Sequence, residues 1–153
     1  MRGYWRCGEV EEITYNLARM KKIDFLLSGR IATIVGAERG MCHTNVPLAF
    51  LRARAELPDQ IEYVEGLWRV DGQVVFHAWI ETDDFIIDPT LAVTSMPSLH
   101  KQHFPIYRYS ENGFLQRLDK DGFKVGSKRD LWLSWDDPKV VELYREIDFP
   151  DSS

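Results

Sequence analysis

Residues 61–89 read IEYVEGLWRVDGQVVFHAWIETDDFIIDP, and this stretch decides the fold. Apolar and β-branched residues alternate with polar ones from Ile61 to Val70 and again from Gln73 to Glu81, the period of a half-buried strand. Asp71-Gly72 between them is a two-residue hairpin signal, because the tight turn that matches strand twist needs positive φ. Thr82-Asp83 reads as a second tight turn, and Asp84 to Asp88 as a third strand ended by Pro89. The expectation is an antiparallel meander.

These turns also set a register. A two-residue loop at Asp71-Gly72 pairs Val70 with Gln73 and therefore His77 with Gly66, a glycine that leaves space over the ring. A two-residue loop at Thr82-Asp83 pairs Glu81 with Asp84 and sets His77 directly opposite Asp88. Directly opposed side chains have Cβ atoms about 4.5–5.5 Å apart, close enough for a carboxylate to accept a bond from an imidazole. A carboxylate so placed fixes which ring nitrogen keeps its proton and favours the imidazolium, as the orienting member of a catalytic triad does.

Upstream of the strands the period is helical. Val10, Ile13, Leu17 and Met20 share one face of a helix predicted over Glu9 to Leu27, with Gly29 as its stop. Ile31 to Val35 is an apolar run of either type, and Gly36 to Gly40 is a permissive segment. Val46, Ala49, Phe50, Ala53 and Leu57 define a second helix that stops at Pro58. Pro47 fits in its first turn if Thr44 or Asn45 is the N-cap, which sets Cys42 two or three residues ahead of the regular helix. A thiol near a helix N-terminus has its pKa lowered and lies beside N–H groups able to bind an oxyanion. Cys42 is thus the candidate nucleophile for His77 and Asp88.

The run GMCHTNVPLAF, then EYVEGLWRV, HAW and the closing DPT, spanning Gly40 to Thr90, resembles the core of the transglutaminase-like superfamily with its papain-like fold. The resemblance implies an α+β domain with N-terminal helices packed on an antiparallel β-meander. It also implies a Cys42 nucleophile, a His77 base and an orienting Asp88, with no metal and no cofactor. Enzymes of this kind hydrolyse or transfer acyl groups, so the implied substrate is a peptide, a protein or a small amide or thioester. The alternative is an inactive domain of the same fold that binds a peptide or protein partner. No glutamine precedes Cys42, so the second oxyanion donor of the papain pattern is unassigned; the Cys42 N–H is one candidate donor, and a side chain such as Asn16 or Trp5 is another.

Other residues have a structural and a functional reading. Trp79 shares a strand face with His77 and either shields the imidazole or fills the core. Asn45 lines the site or caps the helix, and capping is favoured. His43 beside Cys42 invites a metal reading, but no second close ligand pair accompanies it. Cys7, in RCGE, lies too far ahead of His77 to match the pattern. His100 and His103 read as a solvated loop. Phe104 to Tyr109 reads as a strand, Asp119 to Gly122 as a turn, and Asp137-Pro138 as the cap and first residue of a last helix through Ile147. Phe104, Tyr107, Tyr109, Trp132 and Trp135 are assigned to a C-terminal core, with groove lining as the alternative.

Composition bounds the rest. The 153 residues are 44% hydrophobic, 28% charged and 12% aromatic, the profile of one globular domain over 1–153, with residues 40–90 carrying the motif and 91–153 unmatched. A net charge of −5 argues against a nucleic-acid partner. Met1 to Val10 has no apolar leader segment and no run approaches a membrane span, so the expected place is the cytoplasm, where both cysteines stay reduced.

Overall fold

The structure, a computed structural model, describes residues 6–7, 10–12, 21–70, 72–94, 102–124 and 129–148. Its class is α+β. Among the described residues seven strands form one sheet: β1 (Arg6–Cys7), β2 (Val10–Glu12), β3 (Lys22–Ile23), β4 (Glu62–Val70), β5 (Gln73–Glu81), β6 (Phe85–Ile87) and β7 (Gln102–Ser110). Their order is β1-β2-β7-β4-β5-β6-β3, antiparallel throughout except for the parallel pair β3–β6. Helices α1 (Phe25–Val35), α2 (Cys42–Arg52), α3 (Pro89–Ala92), α4 (Glu111–Lys120) and α5 (Pro138–Asp148) complete it. Among the described residues no helix is long and apolar enough to cross a membrane.

The β4–β5 hairpin has the register read from its turn: Val70 pairs with Gln73 and Gly66 with His77, and Gly72 takes φ 78°. Asp71 lies outside the described residues. The second turn differs by two residues. Ile80 pairs with Ile87 and Glu81 with Ile86, because Thr82 and Phe85 close the turn (Thr82 N–H to Phe85 O, 2.8 Å) and Asp83-Asp84 form the loop. The Thr82 hydroxyl also accepts the N–H groups of Asp84 (3.2 Å) and Phe85 (2.9 Å), which selects this loop over Thr82-Asp83. Because the slip is an even number of residues, no side chain changes face.

Strand replaces the predicted helix over Glu9–Leu27 at Val10–Glu12 and at Lys22–Ile23. Val10–Glu12 pairs with Tyr109–Tyr107 and Lys22–Ile23 with Phe85–Ile86; residues 13–20 lie outside the described part. The helix of this region starts later because Asp24 caps it, its carboxylate accepting the Leu27 N–H at 2.9 Å. Gly29 lies inside this helix, and the stop is Gly36, left-handed at φ 65°.

The helix α2 also begins earlier than predicted. Gly40 at φ 73° turns the chain, and the Met41 carbonyl accepts from Thr44 (2.9 Å) and Asn45 (2.7 Å), making Met41 the N-cap and Cys42 the first helical residue. Pro47 then sits in the helix interior and leaves the His43 carbonyl without its helical donor. Burial of Val46, Ala49 and Phe50 against Tyr63, Ile80 and Phe114 offsets that loss.

The C-terminal part belongs to the same sheet. Strand β7 lies between β2 and β4, and α5 packs Val140, Leu143 and Ile147 onto Leu67 and Phe104. Asp137 caps this helix as expected, accepting the Lys139 N–H at 2.9 Å. The helix α4, not anticipated, is capped by Ser110 Oγ (3.0 Å from the Gly113 N–H). The expected aromatic cluster is divided: Tyr109 and Trp132 pack near Tyr63, Phe104 packs under α5, and the exposed Trp135 stacks on Phe76.

A β-bulge shapes the β4–β7 pairing. Glu65 pairs with Tyr107 but Gly66 with Pro105, so Ile106 is the extra residue. Gly66 is required here for a reason other than room over His77: a Cβ would overlap the carbonyl oxygen of Phe104. Pro105, which has no N–H to give the ladder, is tolerated at this interruption.

Candidate active site

The strand β6 pairs with β5 only at Ile80 and Glu81, and the chain then turns into α3 at Asp88. The β5 edge at His77 and Ala78 is therefore left to other groups. The N-terminus of α2 fills it: Cys42 packs in the cluster that holds Ala78 and Ile80, and His43, His77 and the Ala78 main chain are the groups that act on its thiol.

His77 Nε2 is 2.7 Å from Asp88 Oδ2. In the observed register the two are diagonal neighbours, a distance the long imidazole spans with its far nitrogen. Nδ1 is left for the thiol. Asp88 is held from every side: its Oδ1 accepts the Leu91 N–H (3.0 Å) and its own N–H donates to Ser28 Oγ (2.9 Å). The residue that caps α3 is thus also the partner of His77, and the Pro89 after it occupies the first helical position.

The electrostatics follow from this geometry. Burial raises the Cys42 thiol pKa, but the His43 and His77 hydrogen bonds and the His77 charge outweigh it, bringing the group from 9.0 down to about 6. Burial opposes the His77 charge, yet the Asp88 carboxylate and the sulfur override it and push His77 up to about 10. Burial likewise opposes ionisation of Asp88, and the His77 charge with both histidine hydrogen bonds keeps its pKa well below the usual carboxylate range. Both directions favour a thiolate and an imidazolium over the neutral pair.

The remaining site residues have separate places. Trp68 stacks on His77 with ring centroids 4.3 Å apart, and Trp79 lies parallel to it at 5.8 Å. The Trp79 N–H is committed to Glu81 Oε2 at 2.8 Å, so this residue shields the imidazole and has no donor to offer an oxyanion. Asn45 neither caps α2 nor reaches the sulfur: its amide bonds both main-chain groups of Glu38 (3.0 and 2.8 Å) and Thr90 Oγ1 (2.9 Å), tying α2 to the preceding loop and to α3. His43 is half-buried and helps to lower the Cys42 thiol pKa. Asn16 and Trp5 lie outside the described residues, as does His100; Cys7 is paired with Val10 in β1.

His103 is the residue that sequence reasoning missed. It is buried in β7, and its Nε2 lies 2.7 Å from the Asp88 oxygen that His77 also holds. The bulge is responsible: by dropping Ile106 from the pairing it sets His103, in place of Phe104, opposite Trp68 on the His77 face. A Gly in one strand and a Pro in the next were the available signals.

His77, Asp88 and His103 bring their ligand atoms within 4.8 Å of one another, the grouping most able to hold a metal ion among the described residues. Two ligands of one zinc with bonds of about 2.0–2.1 Å stand about 3.3 Å apart. The 2.7 Å contacts are hydrogen-bond distances, so the arrangement here is two imidazoles sharing one carboxylate oxygen. The chain matches no model of a known protein family, no curated protein and no solved structure.

Proposed function

We propose that the protein is a cysteine-dependent acyl-transfer enzyme with a papain-like core, in which Cys42, His77 and Asp88 act as nucleophile, acid–base and orienting carboxylate. One observation carries the reading: a thiol at the first position of a helix is subject to the field of an imidazole whose Nε2 is 2.7 Å from a buried carboxylate.

The Cys42 thiolate attacks the carbonyl carbon of an amide or thioester, forming a C–S bond. The oxygen takes up the negative charge facing the α2 N-terminus, where the Cys42 N–H has no intrahelical acceptor and the helix dipole is positive. Collapse breaks the bond to the leaving amine or thiol, which takes its proton from the His77 imidazolium. Water or an amine then attacks the thioester, neutral His77 accepts its proton, and release of the acid or amide restores the thiolate. Asp88 holds Nε2 throughout and needs no proton of its own. A thiolate of this kind is suited to a reducing compartment such as the cytoplasm.

Incubation with an activated thioester, followed by intact-mass measurement, tests the reading. A single acyl adduct mapping to Cys42, absent in Cys42→Ala and slow to form in His77→Ala, is the expected result. Full biological function in Cys42→Ala would identify a binding domain instead.

A further inference from the structure

The Asp88 carboxylate has two imidazoles on one oxygen, and only one of them reaches the thiol. His77 and His103 have ring centroids 5.8 Å apart, and both are buried. Two imidazolium cations at that separation around a single carboxylate would repel each other, so one ring stays neutral. Besides Asp88 and His77, the charged group facing His103 is Glu81; the aromatic faces around it are Trp68 and Trp79. His77 has the sulfur as an additional anionic partner, and His103 does not. The proton therefore stays on His77, and His103 is the neutral Nε2–H donor to Asp88 Oδ2.

A neutral donor has a particular value at this position. It fixes the carboxylate oxygen as an arginine or lysine would, but without a charge that competes for the carboxylate field. The Leu91 N–H immobilises Oδ1 in the same way, so neither oxygen can turn away from His77.

We propose that His103 is a positioning residue for the Cys42 reaction: by donating to Asp88 Oδ2 it holds that oxygen on His77, which keeps the thiolate–imidazolium pair assembled. The proposal rests on Cys42 being the nucleophile. His103 touches neither sulfur nor substrate, and its recruitment from β7 gives the C-terminal third of the chain a part in the site.

The test compares His103→Gln, whose amide N–H2 reaches the position of Nε2, with His103→Phe, which fills the volume and donates nothing. Iodoacetamide labelling of Cys42 is followed against pH by peptide mass mapping. His103→Gln is expected to keep the low-pH labelling midpoint of the parent. His103→Phe is expected to shift it upward by about one pH unit, with about tenfold slower labelling at the parent's midpoint. Should His103→Phe fail to fold, His103→Asn, whose shorter amide falls short of Asp88, replaces it with the same expectation. An unchanged midpoint in the folded non-donating variant, or equal loss in the Gln variant, overturns the proposal while leaving the Cys42 reading intact. A parent midpoint near that of an ordinary thiol overturns the Cys42 reading and this proposal with it.

Discussion

His77 reaches Asp88 diagonally, with Nε2 2.7 Å from Oδ2, although β6 ends one residue before Asp88 and pairs with β5 only at Ile80 and Glu81. A backbone ladder is not what joins them. The contact depends on Asp88 being both the N-cap of α3 and the end of the strand, so the cap hydrogen bond to Leu91 aims the carboxylate.

Asp88→Asn separates these two duties. Its amide oxygen can still cap α3, but its N–H2 faces two imidazole N–H groups and no longer balances a buried imidazolium. Removing one partner of a buried ion pair costs about 3–5 kcal/mol. Urea unfolding at pH 7 should show a loss of this order, and Cys42 labelling should move toward the pH of an ordinary thiol. A loss below about 1 kcal/mol would mean that His77 is not charged.

The pH dependence of stability carries a sign that one variant reveals. His77, raised from 6.5 to about 10, contributes stability that is full below 6.5 and lost as pH rises through 10. Cys42, lowered from 9.0 to about 6, contributes stability that is full above 9.0 and lost as pH falls through 6. Between 6.5 and 9.0 the unfolded chain holds one proton on the thiol and the folded chain one on the imidazole, so the pair binds no net proton and its contribution is flat. Cys42→Ser removes the compensating thiol. Its stability should fall as pH rises above 6.5, in contrast to the parent, and parallel slopes in the two proteins would contradict the ion pair.

Gly66→Ala probes the bulge. The added methyl meets the Phe104 carbonyl, backbone that can move only by shifting β7. Overpacking of this kind costs about 1–3 kcal/mol. Because His103 directly precedes Phe104, the same shift should withdraw its imidazole from Asp88 and slow Cys42 labelling. A variant as stable and as reactive as the parent would show that the bulge does not position His103.

The central hairpin was legible because its signals are local: alternation in β4 and β5, and a Gly at the turn, fix the pairing of Gly66 with His77. The second turn misled because Thr82 can be either a loop residue or, through its hydroxyl, the residue that closes the loop. That choice is made by side-chain to backbone bonds which composition does not reveal. The even slip preserved the face of every side chain, so the His77–Asp88 pairing was reached despite the wrong register. The helical periodicity of Val10, Ile13, Leu17 and Met20 was overridden where Val10 to Glu12 pair with β7, a partner nearly one hundred residues away. His103 was illegible for a related reason. Its face is set by one extra residue in a pairing between strands far apart in sequence, and no local period records a bulge. Asn45 looked like a cap because Pro47 was expected in the first turn. The Met41 carbonyl and Gly40 instead start the helix early at the cost of one hydrogen bond.

The rate of Cys42 carbamidomethylation as a function of pH, resolved from Cys7 by peptide mass mapping, tests the account at its centre. The thiolate–imidazolium pair predicts a labelling midpoint near pH 6 for Cys42, lost in His77→Ala. A midpoint near 9.0, or labelling of Cys42 no faster than that of Cys7 at neutral pH, would contradict it.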